Sequence, residues 1–200
     1  RTYCLKTMSE NTAVFEFIAS RRSLKPKLLT EPSPTDEQFA RAAQAAMRAP
    51  DHGSLVPYRF VRVESEDRGR LADVFEAAAK RQGADADKQA RSRSKALKGP
   101  SLVGFVFSPD TECGISLDEQ FLTAGAALDQ FMLALNALGF GGIVLSGSVL
   151  ADDGVQAFFR HKAGEKLIAW VICGTPTPEA KPQDAETREA PFTVWTPAAS

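Results

Sequence analysis

Cationic and hydroxyl side chains stand close together near the start of the sequence, and their types suit the binding of a phosphate. Arg21, Arg22 and Ser23 follow a short apolar segment, and Lys25 adds a positive charge two residues beyond the serine. A guanidinium group donates two parallel hydrogen bonds, which matches the oxygens of a phosphate. Taken alone, such a group is more typical of the end of a helix, where the macrodipole favours positive charge.

Two further stretches carry donors or an unobstructed backbone. Arg48 and His52 lie on either side of a proline turn. The glycine-flanked stretch Gly-Gly-Ile-Val-Leu-Ser-Gly at residues 141–147 would let backbone N–H groups approach a flat ligand closely. A lone histidine in a turn more often bonds its own backbone. Taken together, the three stretches predict a site for a phosphorylated, planar cofactor.

Hydrophobic periodicity predicts the elements that must position these groups. Thr35 and Gln38 have the spacing of a capping box, which would start a helix that ends before Pro50. Residues 83–98 are charged and poor in apolar side chains, so we expect an exposed helix or a mobile segment whose basic run at residues 91–95 is solvated. The other expected helices are at 11–20, 35–48, 67–81, 117–138 and 153–161, and the expected strands are at 58–63, 102–107, 143–145 and 167–173.

The composition excludes several classes of protein. Apolar residues make up 44% of the 200 residues and charged residues 24%, as in a globular domain. The 24 Lys and Arg against 25 Asp and Glu argue against a protein that holds nucleic acid or a membrane surface by bulk charge. Three cysteines without a C-x-x-C pair argue against a metal site and a disulfide framework, and they favour a reducing, cytoplasmic setting.

The chain is expected to form a single domain over residues 8–200. Residues 1–7 are expected to be an upstream extension, because Met8 resembles a natural start. The helix at 117–138 is apolar almost all round, which is typical of a core or a subunit interface, and its polar interruptions argue against a membrane span. Residues 175–200 are rich in proline and end in aromatic residues, so we expect an extended arm that docks on another surface.

The order of the short motifs resembles the nitroreductase family of FMN-dependent oxidoreductases, and in particular its small bacterial members. The motifs are R-R-S, R-A-P-D-H, P-Y-R-F, G-F-G-G-I-V-L-S-G and C-G-T-P, and they run from about Phe15 to Pro176. The resemblance implies an α+β fold, a three-layer α/β/α sandwich around a mixed, mostly antiparallel sheet. It also implies a homodimer with an extended C-terminal arm, residues 175–200, that packs on the partner.

The resemblance further implies an FMN site shared between two subunits. Arg21, Arg22 and Ser23 match the residues that hold the FMN phosphate, the ribityl chain and the edge of the ring. Arg48 and His52 match flavin contacts that come from the partner subunit. Metal, nucleic acid and membrane are not implied as partners.

Other residues match the surroundings of the ring system. Val144, Leu145 and Ser146 match the segment that lines the other side of the flavin. Lys25 lies where many members carry a lysine near N1 and O2, and a positive charge there stabilises an anionic reduced ring. Residues 134–139 match a proposed nicotinamide-nucleotide region. No side chain is implied as an acid or a base, because the flavin carries the redox chemistry.

The implied activity is transfer of hydride from NADH or NADPH, through FMN, to a small electron-poor acceptor such as a nitroaromatic or a quinone. Close relatives often carry a basic residue where Leu145 stands, and Gln-Pro-Trp where this chain has Val-Pro-Tyr at residues 56–58. Arg48 or Lys162 could compensate for the lost phosphate contact. These departures leave open a non-catalytic protein that binds, stores or senses flavin. Other flavin chemistry, such as reductive dehalogenation or flavin fragmentation, is a third hypothesis.

Overall fold

The structure is a computed structural model that describes residues 11–181 and 191–195. Contacts divide the chain into two units, residues 21–180 and the two terminal stretches. In the terminal unit, α1 spans Thr12–Ser20, and residues 191–195 form no helix or strand. The extension expected at residues 1–7 and most of the arm expected at 175–200 lie outside the described residues.

The elements of the main unit follow the hydrophobic pattern of the sequence closely. The strand expected at 167–173 is longer than its apolar run, because its last residues pair with an additional short strand. The helices are α2 Asp36–Ala46, α3 Arg68–Arg81, α4 Ala86–Leu97, α5 Leu117–Ala137 and α6 Asp153–Phe159. The strands are β1 Leu29–Thr30, β2 Tyr58–Val63, β3 Ser101–Phe107, β4 Gly141–Leu145 and β5 Lys166–Pro176.

The strands form one sheet around β5. Its order is β1-β5-β3-β2, β4 also pairs with β5, and every described pairing is antiparallel. Ser101 of β3 and Gly142 of β4 are both Cα partners of Cys173, so β3 and β4 occupy opposite edges of β5. Since β4 pairs with β5, its other edge is available to the segment at residues 21–25.

Side chains alternate across the sheet and build two cores. On β3, Leu102 and Val106 enter one core, and Val103 and Phe105 enter the other. Helices α3, α4 and α6 cover the first core, and α2 and α5 cover the second. This arrangement is the three-layer α/β/α sandwich that the sequence resemblance implied.

The charged segment at residues 83–98 is a helix that packs on α3. Asp85 caps its start by accepting a hydrogen bond from the backbone N–H three residues further on. The buried guanidinium of Arg68 donates to the backbone carbonyls at the other end, those of Ala96, Lys98, Gly99 and Pro100. The last carbonyls of a helix lack partners within it, and Arg68 satisfies that of Ala96 together with those of the three residues that follow α4.

Candidate functional site

The segment at residues 21–25 is seated on the first residues of β4. The N–H of Leu24 donates to the carbonyl of Gly142 at 3.0 Å, and the Leu24 side chain is buried in the first core. A Cβ atom on Gly141 would stand 2.5 Å from Cδ1 of Leu24, closer than real Cβ atoms come. Gly141 therefore permits the close approach of the two segments.

The polar residues around Leu24 form what we call the donor segment, Arg21, Arg22, Ser23 and Lys25. Nη2 of Arg22 donates to the carbonyl of Ala180 at 2.6 Å, and both arginines are half-buried. The side chains of Ser23 and Lys25 are exposed. The structure thus brings these four predicted residues together on a backbone that is fixed to the sheet.

The predicted residues Val144, Leu145 and Ser146 follow Gly142, the hydrogen-bond partner of Leu24, at the end of β4. Backbone polar groups alternate in direction along a strand, so those of Val144 point to the same side as the Gly142 carbonyl that accepts from Leu24. The Val144 side chain is 38% exposed, whereas Leu145 packs against the first core. Val144 therefore offers an apolar surface and backbone polar groups, and the side chain of Leu145 serves packing.

A cation that the sequence analysis assigned to a solvated surface also lies at the end of β4. Lys95 of α4 is half-buried, and its Nζ lies 3.9 Å from the position of a Cβ atom on Gly147. Gly147 directly follows Ser146, so Lys95 adds a positive charge beside the predicted lining segment. The spacing in the sequence gave no signal for this contact, because it exists only through the packing of α4.

His52 lies elsewhere, at the start of α5, and Arg48 lies just after the end of α2. Nδ1 of His52 lies 3.0 Å from Oε2 of Glu119, and both side chains are more than half exposed. The hydrogen bond from His52 is the largest cause that lowers the pKa of the Glu119 carboxyl. The hydroxyl of Thr123 donates to the carbonyl of Pro50 at 2.9 Å and ties the loop to α5. Arg48 is exposed at the end of α2.

The loop that carries His52 has an unusual backbone. Ser54 and Val56 adopt positive φ angles of 54° and 48°, which is a genuine outlier for a β-branched residue such as valine. The carboxylate of Asp51 accepts from the N–H of Val56 at 2.8 Å. Burial, and secondly the charge of Asp51, raise the pKa of Tyr58. Backbone strain of this kind clusters at functional sites.

The donor segment and the His52 loop lie at opposite ends of α5. Glu119 contacts His52 near its start, and Cε of Met132 lies 3.1 Å from the position of a Cβ atom on Gly142 near its end. From residue 119 to residue 132 a helix rises by about 20 Å. One chain therefore does not bring both groups of predicted residues onto one ligand.

The family model described as "Nitroreductase family" matches residues 18–175, which span nearly all of the sandwich. The chain belongs to the nitroreductase family. The family that the ordered motifs resembled is therefore confirmed, and so is its α+β fold.

Individual members of the nitroreductase family agree with this assignment. "Putative NAD(P)H nitroreductase YdjA" of Escherichia coli K12 is 31% identical over 180 residues, which cover 90% of this chain and 97% of that protein. A nitroreductase-like family protein from Bacillus cereus has a TM-score of 0.75 and 19% identity, over 92% of this chain and 95% of its own. A mutant of the FMN and NADPH-dependent nitroreductase NfnB from Sphigopyxis sp. strain HMH has a TM-score of 0.65 and 18% identity, over 91% and 94%.

This nitroreductase-family chain exposes large apolar side chains at the His52 end of α5. Leu117, Phe121 and Leu122 of α5 and Met47 after α2 are each more than half exposed. A cavity of about 350 Å³ lies between the loop and α5, next to His52 and Leu122. Within the described part of the chain, no helix is both long and apolar enough to span a membrane, and no cluster of His, Cys, Asp and Glu is suited to a metal ion.

Proposed function

We propose that this chain is an FMN-dependent oxidoreductase that transfers hydride from NAD(P)H, through the flavin, to an electron-poor acceptor such as a nitroaromatic or a quinone. The observation that carries the proposal is the seating of the donor segment on the edge of β4 that faces away from β5. Family membership supports it, as do the relative named for NAD(P)H and the structural neighbour named for FMN and NADPH.

The residues of the donor segment and of β4 fit the parts of FMN. Arg21 and Arg22 supply the forked donors that a phosphate requires, and Ser23 supplies a hydroxyl for the ribityl chain. Val144 supplies an apolar surface and a backbone donor for the flat ring system. FMN, when bound, accepts a hydride from the nicotinamide and passes electrons on to the acceptor.

Two lysines would act on the electronic state of the ring. Lys25 lies in the donor segment, and Lys95 lies beside Gly147 at the end of β4. Positive charge close to the ring lowers the energy of negative charge that accumulates on it. The proposal requires no side chain that acts as an acid or a base. The protein binds the flavin, orients it and tunes its electronic state.

We infer that a second copy of the chain completes each site. In one chain the His52 loop and the donor segment lie near positions of α5 that are about 20 Å apart, while a two-fold dimer can bring opposite ends of two helices together. The exposed apolar side chains at this end, such as Phe121 and Leu122, provide surface that such a dimer would bury. Residues 175–200 are proposed as an arm that packs on the partner.

The experiment that tests the function is a spectrum of the purified protein before and after the addition of NADPH or NADH under anaerobic conditions. We expect a flavin absorption band that the nucleotide bleaches and that menadione or nitrofurazone restores over many cycles. A protein that neither contains nor takes up FMN would contradict the proposal. Bound flavin without turnover on any acceptor would favour the storage or sensing protein instead.

A further inference from the structure

A second cavity lies between the end of α3, α4 and the residues that follow β4. Its volume is about 440 Å³, and its walls include Lys88, Arg91 and Lys95 of α4 together with Gln82 and Ser148. The three cations occur at i, i+3 and i+7, so they line one face of the helix over about 10 Å. The proposed flavin contacts of the donor segment do not use this cavity.

The charges in this cavity are less neutralised than those on the rest of α4. Arg93, on another face of the helix, contacts Asp73 and Glu76 of α3. In the part of the chain that the structure describes, Arg91 and Lys95 have no carboxylate within ion-pair distance. Positive charges that face a concave surface without carboxylate partners attract an anionic ligand.

One cation of the cavity is already paired. Nζ of Lys88 lies 3.1 Å from a carboxylate oxygen of Asp85, and both side chains are largely exposed. Such exposed ion pairs are weak, so a phosphate could displace the carboxylate at little cost. Lys88 therefore adds to the positive potential of the cavity less than Arg91 and Lys95 do.

The cavity adjoins the place where the ring of the flavin is proposed to lie. Ser148 follows Gly147, next to which Nζ of Lys95 stands, and Ser146 precedes it. A ligand in this cavity would have one end near the flavin and negative groups spread along α4. A reduced nicotinamide dinucleotide has this shape, because a pyrophosphate follows its nicotinamide riboside and NADPH carries a further 2′-phosphate.

We propose that the α4 cavity binds the phosphate groups of NADPH, with Ser148 at the pyrophosphate, Arg91, assisted by Lys88, at the 2′-phosphate, and Lys95 between the pyrophosphate and the flavin ring. The inference rests on the proposed function and deepens it, because it assigns a preference for NADPH over NADH. An anionic electron acceptor also carries negative charge that these cations would bind, and the test distinguishes this ligand from NADPH.

The test compares the FMN-loaded parent with Arg91→Gln and Lys88→Gln. Anaerobic stopped-flow measures the concentration dependence of flavin reduction by NADPH, NADH and reduced nicotinamide mononucleotide, and calorimetry measures the binding of NADP⁺. We expect Arg91→Gln to weaken the binding of NADPH and NADP⁺ about tenfold, since one charge-assisted contact is lost. Lys88→Gln should weaken both by about threefold. Reduction by the mononucleotide, which lacks the 2′-phosphate, should be unchanged in both variants.

Lys98→Gln is the matched control, because it removes one exposed charge directly after the last residue of α4 without touching the cavity. Equal affinity for NADPH in the parent and Arg91→Gln would overturn the inference, and so would an equal loss in Lys98→Gln. A change confined to the KM of an anionic quinone sulfonate would assign the cavity to the acceptor and overturn it too. Failure of the proposed function is a separate result, because the parent itself would then show no flavin reduction.

Discussion

The two ends of α5 hold the residues predicted for the site by different means. Near Met132, the donor segment is fixed by a backbone hydrogen bond to Gly142, by the burial of Leu24 and by close packing of the Leu24 side chain on Gly141. Near Glu119, the contact that orients His52 joins two exposed side chains. The first end is part of the sheet, whereas the second lies on a surface with exposed apolar residues.

This difference indicates how a site can be divided between two copies of one chain. At the end that is built into the sheet, the positions of the phosphate donors do not depend on a partner. In the proposed dimer, the exposed end would adjust when it meets the ligand and the second copy of the chain. Each end alone would be half of a site, so variants at the two ends should behave differently.

The largest effect should come from mixing variants that damage opposite ends. Arg21→Ala/Arg22→Ala removes the donors of one half, and Arg48→Ala/His52→Ala removes those of the other. Each homodimer should be almost inactive. Random mixing of subunits yields about half heterodimers with one intact site each, hence about a quarter of the parent activity. The measurement is turnover of NADPH with menadione after the two variants are co-refolded.

One mixture serves as the control for this experiment. The two double variants should regain no activity when they are mixed without refolding, because subunits then stay in their original dimers. A co-refolded mixture that stays at the sum of the two separate activities would show that both halves act within one chain.

The next effect concerns the stability of the sheet corner nearest the His52 loop. The buried Glu165 accepts from Arg59 of β2 and from backbone N–H groups, and the Arg59 contact is the main cause that depresses its pKa strongly. Glu165→Gln should cost about 3 kcal/mol at pH 7, because the guanidinium loses its buried counter-charge. Thermal unfolding measures this loss.

The pH dependence of the stability of the same variant tests whether the ionised Glu165 carboxylate stabilises the folded protein. A depressed pKa in the folded state stabilises the protein above the unfolded value of about 4.3, and this contribution is lost as pH falls toward the folded value. The melting temperatures of the parent and Glu165→Gln should therefore differ at pH 7 and converge as pH falls below about 4. A difference that stays constant down to pH 3 would contradict this assignment.

Much of the fold could be predicted from local patterns. The capping box at Thr35 and Gln38 is present, and the alternation from Tyr58 to Val63 corresponds to the observed strand. These signals are local, so a single sequence contains them. The short strand β1 could not be predicted, because two residues between prolines carry no periodicity and pair only through the end of β5.

The site was predicted less completely, because its geometry depends on long-range packing. The donor segment stood out by its arginines, but Lys95 did not, since a basic run on a polar helix is typical of a solvated surface. Arg59 in the motif P-Y-R-F serves the ion pair with Glu165. Leu145 lies in the predicted lining segment, yet its side chain faces the core, which only the register of β4 against β5 determines.

A smaller effect is expected from single substitutions, which should weaken FMN binding more in the donor segment than in the His52 loop. Arg22→Ala should weaken FMN binding about thirtyfold, because a charge-assisted contact with a phosphate is lost from a fixed backbone. His52→Ala should weaken it by less than tenfold, since its contact partner and ring are exposed. Titration of the apoprotein with FMN, followed by flavin fluorescence, measures both. Equal losses would remove the contrast between the two ends.

The rigidity of the donor segment can be tested without removing any donor. Gly141→Ala would push Leu24 away from β4, because its Cβ would stand 2.5 Å from the leucine side chain. Overpacking of this kind costs about 1–3 kcal/mol, and we expect about tenfold weaker FMN binding. Gly114→Ala is the control for a general loss of stability. Nothing lies within 4 Å of its Cβ position, so an alanine causes no overpacking there, while the φ of 77° strains the backbone. A loss of FMN affinity in Gly114→Ala as large as in Gly141→Ala would indicate a general loss of stability.

The smallest effect should come from Glu119→Gln. The carboxylate of Glu119 accepts from His52 at the exposed end of α5, and this contact lowers its pKa. Because its pKa is lowered, the Glu119 carboxylate is ionised and accepts from His52 at pH values above the normal pKa of a glutamate. Protonation of the carboxylate in acid removes the contact. We therefore expect FMN affinity to fall by less than threefold at pH 7, with the parent and the variant converging below about pH 4. A loss as large as that of Arg22→Ala would show that the His52 loop depends on a rigid ion pair, and the two ends of α5 would then be equivalent in how they hold the ligand.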